Sequence, residues 1–206
     1  MKTYRHSDPQ GDIPRSHPWN IAAHDPTHKY YDFKAQPELI RFSLEDFVPW
    51  KHYAAIERFY GLLEWINGPD SQLESNDCAF RDPSPNTNPN FSKTLQCSDR
   101  LMILYRDLKL NTEPEYIQWL TDASHHYLNQ SDPDFVLGCV GTTIMQAHFT
   151  SLPPTEKQSG HQLQLLFWAW GDGEVETMGN LDRLFKNLTL ALRGVSDEIR
   201  DSMKHG

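Results

Sequence analysis

The chain has 206 residues, 38% of them hydrophobic, and its 28 acidic residues outnumber 19 basic ones for a net charge of −9. That surplus argues against a phosphate backbone as the main partner, and no apolar run approaches the length needed to cross a bilayer. The N-terminus lacks the apolar core of a secretory leader, and three irregularly placed cysteines (Cys78, Cys97, Cys139) suit a reducing compartment, so a cytoplasmic location is expected.

Residues 1–37 carry Pro9, Pro14, Pro18, Pro26 and Pro37 and keep no period of two or 3.6. Such a segment builds no core of its own. Its aromatics Trp19, Tyr30, Tyr31 and Phe33 mark it as an extended arm, with little hydrogen-bonded structure, that docks on the body or on a neighbouring copy. Residues 38–206 read as one domain.

Leu39 to Phe42 suit a short edge strand, and Ser43 with Glu45 and Asp46 opens a helix. Tyr53, Ile56, Phe59, Tyr60, Leu63 and Ile66 form a helical stripe. Asn67-Gly68-Pro69 stops it, with Gly68 expected in the left-handed conformation. Residues 67–99 hold four prolines and many Asn, Asp and Ser without periodicity, which predicts a long ordered loop pinned by Leu73, Phe80 and Phe91.

Arg100 to Leu110 is apolar on both faces, as in a central strand. Thr112-Glu113-Pro114-Glu115 has the form of a capping box ahead of a helix that turns Tyr116, Ile117, Leu120, Tyr127 and Leu128 inward. Val136 to Leu152 and Leu163 to Trp170 are strands joined by a polar connector, most simply a hairpin. Gly138 and Gly141 suggest a bulge or a close backbone approach. Met178, Leu181, Leu184, Phe185, Leu188, Leu192, Val195, Ile199 and Met203 then mark one face of a long closing helix. The expected fold is α+β: a small sheet of three to five strands with helices packed on it, in the order (β)α, long loop, βαββα.

No chemical signature stands out. His125 and His126 are adjacent and point about 100° apart on their helix, and there is no CxxC, so no metal or other cofactor is expected. GxSxG, GxGxxG and P-loop patterns are absent. The candidates for a catalytic site are the carboxylates Glu74, Asp77 and Asp172, with Arg81, Arg106 and His148 as partners. Cys78 joins them as a loop thiol that nearby Arg81 would help to ionise. The candidates for an interface are Trp19, Tyr30, Tyr31, Phe33, Trp168 and Trp170, since large aromatics anchor interfaces; the alternative for the last two is packing beneath a helix or the arm.

Between Asp107 and Asp134 six acids face a single base, Lys109, a solvated face or a docking surface for a basic partner. The expectation is therefore a cytoplasmic protein-binding protein (an inhibitor, an immunity-type protein or an accessory subunit) with a protein partner or self-association. The alternative is a small enzyme acting on a small molecule, with its pocket between the 67–99 segment and the sheet edge.

Overall fold

A computed structural model of the chain describes residues 1–5, 14–19, 26–27, 31–43, 48–152 and 158–205. Its centre is the hairpin of β6 (Gly138–Phe149) and β7 (Gln158–Gly171), paired antiparallel over twelve residues from Gly138↔Ala169 to Phe149↔Gln158. β5 (Leu95–Tyr105) adds antiparallel to β7, and β3 (Leu73–Phe80) adds antiparallel to β5. The short β4 (Ser84–Pro85) continues that edge. On the other side, β1 (Lys2–Arg5) and β2 (Arg15–His17) pair in parallel with successive stretches of β6.

The result corrects the expected small sheet of three to five strands: among the described residues the sheet is mixed and has seven strands. The two sources of the difference are physical. The 67–99 segment is not one loop, because β3 and β4 lie within it and β5 already begins at Leu95. A register shift between Ser75 and Asp77 breaks the alternation of β3, so its period of two is lost to inspection. The described parts of residues 1–37 supply two further strands, β1 and β2, whose backbones hydrogen-bond to an edge; short polar strands of this kind carry no pattern of their own.

Helices cover one face. α2 (Ala54–Asn67), α3 (Pro114–Ser131) and α4 (Glu174–His205) pack together there, with the short α1 (Glu38–Phe42) beside α2. Leu163, Leu165, Phe167 and Ala169 of β7 point to them and are fully buried, as are Leu181, Leu184, Phe185, Leu188 and Leu192 of α4. Phe59, Phe167 and Phe185 meet ring on ring at this centre. Gly194 in α4 lies against the Tyr127 ring, where a Cβ would stand 2.6 Å from it.

Several local expectations change. Leu39–Phe42 is helical within α1, and Ser43, expected to open the next helix, is instead the C-cap of α1; Glu45 and Asp46 lie outside the described residues. Gly68 is extended at φ −77°; a Cβ there would sit 2.9 Å from the Glu64 carbonyl oxygen, so it is crowding that favours glycine. The capping box does not form: Glu113 is the N-cap and makes no side-chain cap bond, while Thr112 donates to the Lys109 carbonyl. Tyr116 is exposed at 42%. Gly138 and Gly141 mark close approaches without a bulge, to Phe135 and to the Tyr4 ring respectively.

Two outcomes test this arrangement. Leu188→Ala should cost about 2–5 kcal/mol in denaturant unfolding, as for large-to-small changes at filled core sites; a loss below about 1 kcal/mol would contradict the buried stripe. Removing residues 1–37 strips β1 and β2 from the β6 edge. The melting temperature of the truncated chain should fall, and an unchanged value in calorimetry would mean these strands contribute nothing.

Candidate functional site

The face of the sheet opposite α2, α3 and α4 is concave, and its two edges meet. β2 and β3 are separated in strand order by β6, β7 and β5. At about 4.8 Å per strand a flat sheet would hold them roughly 19 Å apart. Yet His17 Nε2 of β2 lies 2.7 Å from Glu74 Oε1 of β3, and Arg15 Nη1 lies 2.5 Å from Asp77 Oδ2. Among the described residues no backbone ladder joins these edges. Side chains close the seam.

The bulge provides the third link. Asn76 donates from Nδ2 to the Ser16 carbonyl at 3.2 Å and to Gln162 Oε1 at 3.0 Å, and its Oδ1 accepts from the Trp19 backbone N–H at 3.0 Å. A bulge re-aims a side chain out of the strand's alternation, which here lets Asn76 bridge β2, β3 and β7. Gly160 lets the sheet curl at the same end: its missing Cβ leaves room for the Phe149 ring and the Asn111 carbonyl. Leu104, Ala147 and Phe149 then form a small apolar cluster within the curve.

Charge at the seam is paired. Glu74 is 1% exposed and accepts from both His17 and Lys34. Burial pushes its carboxyl up, but the hydrogen bonds from His17 and Lys34 outweigh that and hold it below its ordinary value near 4.5. Asp77 lies between Arg15 and Arg100 Nε, the latter at 2.9 Å. Arg100 also reaches Asp99, which Arg81 meets from outside at 3.3 Å.

Outside this lattice, beside β2 and β3, lies a cleft of about 410 Å³. Its walls include His17, Trp19, Tyr31, Phe33, Lys34 and Asp77. The Arg15 guanidinium sits 4.7 Å over the Trp19 ring, and the Tyr31 and Phe33 rings lie 5.9 Å apart at 14°. Among the described residues, the buried atoms His17 Nδ1, Gln162 Nε2, Gln164 Oε1 and Thr143 Oγ1 have no hydrogen-bond partner. Thr143 and Gln164 are directly paired across β6 and β7, and Gln162 is the next residue of β7 on that face.

The seam gathers only some of the residues singled out in the sequence. Glu74 and Asp77 are there. Cys78 lines the cleft too, but its side chain packs against the core and burial raises its thiol to about 12, so it carries no thiolate at neutral pH. Arg81 is exposed and pairs with Asp99. Arg106 donates to the carbonyls of Ile66 and Gly68, tying the end of α2 to the sheet. His148 neighbours Ser159 at 3.3 Å. Asp172 binds Lys93 at the far end of β7, nine positions beyond Leu163 and roughly 30 Å along the strand.

The aromatic candidates are placed as follows. Trp19, Tyr31 and Phe33 line the cleft. Trp168 packs on Tyr4 with ring centres 5.6 Å apart, and Trp170 stacks on Phe91 at 4.0 Å and 6°. Tyr30 lies outside the described residues. His17, Arg15, Lys34, Asn76, Arg100 and Gln162 were not legible as site residues. Only the proximity of distant edges joins them, and spacing along a chain does not report that.

Of the six acids between Asp107 and Asp134, Asp122 pairs with Arg5 and Asp132 with Arg183, while Asp107, Glu113, Glu115 and Asp134 are exposed. A second, apolar groove of about 370 Å³ lies among Tyr105, Leu110, Tyr116, Trp119, Ile199 and Met203. Among the described residues no group of three or more His, Cys, Asp or Glu side chains is placed to hold a metal ion, and no helix is long and apolar enough to cross a membrane.

The pH dependence of stability follows from Glu74. Its folded-state carboxyl titrates below its unfolded value, so its contribution is complete above about pH 4.5 and is lost as the pH falls through the folded-state value. Urea midpoints of the wild type should drop on acidification below pH 4.5, and Glu74→Gln should flatten that part of the profile. A mutant profile parallel to the wild type would remove the seam from the acid transition.

Comparison with protein-family models, characterised proteins and solved structures finds no match for this chain, so the seam is interpreted from its own geometry.

Proposed function

We propose that the protein binds a small molecule in the cleft beside the β2–β3 seam, and that any reaction there is a proton transfer at His17. The single observation that carries this reading is the buried His17–Glu74 pair set in the wall of a cleft of ligand size. Glu74, held ionised and accepting from Nε2, fixes which ring nitrogen of His17 bears the proton. In the neutral ring Nδ1 then carries the lone pair, and among the described residues it has no hydrogen-bond partner. An imidazole oriented by a buried carboxylate is the arrangement used for general acid–base work.

One observation favours a second reading, the docking of a basic protein. The chain is acidic overall and exposes Asp107, Glu113, Glu115 and Asp134 in one stretch. Two other acids of that stretch are already bound to Arg5 and Arg183, which weakens the patch.

The two separate by what the protein retains. After incubation with a metabolite extract and gel filtration, native mass spectrometry should show a small-molecule adduct on the wild type. His17→Ala and Trp19→Ala should lose it, and Met203→Ala should keep it. No adduct, or an adduct indifferent to both cleft variants, would sink the cleft reading.

A further inference from the structure

The walls of the cleft narrow the kind of molecule it takes, an argument that rests on the cleft being the binding site. The described residues around it carry cations on Lys34, Arg15 and Arg100 and anions on Glu74, Asp77 and Asp32. Each anion is already engaged. Glu74 holds His17 and Lys34, Asp77 holds both arginines, and Asp32 Oδ1 accepts the backbone N–H groups of Lys34 and Ala35. Among the described residues the charges around the cleft therefore balance, within a chain of net charge −9. A charged group entering it would be desolvated without an opposite partner, or would have to break a pair that closes the sheet.

Shape points the same way. Trp19, Tyr31 and Phe33 present flat surfaces, with Tyr31 and Phe33 nearly parallel. Aromatic rings pack best in offset stacks or edge to face, so a planar ring gains most when laid against such walls. The polar groups left over are neutral as well. Ser75, Asn76 and Ser151 line the cleft and carry no charge, whereas His17 Nδ1 and Gln162 Nε2 are themselves buried. A neutral hydrogen-bonding group can meet such a wall without stripping water from a charge.

We propose that the cleft takes an uncharged, planar aromatic molecule bearing a neutral hydrogen-bonding group. The test is a matched series on the intact chain: naphthalene-2-carboxamide, naphthalene-2-carboxylate and naphthalene-2-carboxamidine. The three share a ring system and differ in charge. Binding is followed by NMR through the side-chain signals of His17, Trp19 and Asn76, so no variant has to fold.

The carboxamide should shift these signals saturably, with an affinity about ten-fold or more above either charged analogue. If the carboxylate or the carboxamidine binds there as tightly as the carboxamide, the inference about charge is overturned while the cleft stands as a binding site. If none of the three moves these signals, or shifts appear only at Trp119 and Met203 in the apolar groove, the cleft itself is not the site and both ideas fail.

Discussion

Among the described residues, two edges of one sheet are held together through side chains at the seam between β2 and β3. His17 meets Glu74, Arg15 meets Asp77, and Asn76 reaches both Ser16 and Gln162. A backbone ladder would have closed the sheet without any such chemistry. Side-chain closure requires buried charge, and buried charge must be paired or it becomes very costly. That requirement accounts for the double pairing of Glu74 and of Asp77, each carboxylate lying between two partners.

The same constraint shapes the rest of the concave face. Helices fill the other side of the sheet with a continuous apolar core that includes Phe59, Phe167, Phe185 and Leu188. The concave side carries Gln162, Gln164 and Thr143 in its interior, all of them buried. Stability and chemistry are thus divided between two faces of one sheet. The helix face can tolerate only apolar volume changes of the right size, whereas the concave face keeps polar groups at a cost that the core offsets.

A bulge at Asn76 connects local structure to this arrangement. It turns the β3 edge inward, brings Glu74 and Asp77 to the seam, and aims Asn76 across it. It also hid the strand, because one inserted residue shifts alternation by a position and makes Leu73–Phe80 look aperiodic. The polar edge strands Lys2–Arg5 and Arg15–His17 were hidden for a different reason: their pairing is decided by the exposed edge of β6, not by anything in their own three or four residues.

By itself the sequence determined the parts whose neighbours lie close along the chain. The stripe from Met178 to Ile199 specified α4, the alternation of Leu163, Leu165, Phe167 and Ala169 specified the buried face of β7, and Gly171-Asp172-Gly173 specified the turn between them, with Gly173 at φ +83°. Glu74 and Asp77 were visible as carboxylates with potential chemistry. Tertiary structure alone decided how many strands the sheet has, that it curls, and which residues stand beside those carboxylates. His17 and Glu74 are 57 residues apart in sequence and Asn76 and Gln162 are 86 apart. Helical and strand periods report contacts over a few residues, while the meeting of two sheet edges depends on the accumulated twist of every strand between them.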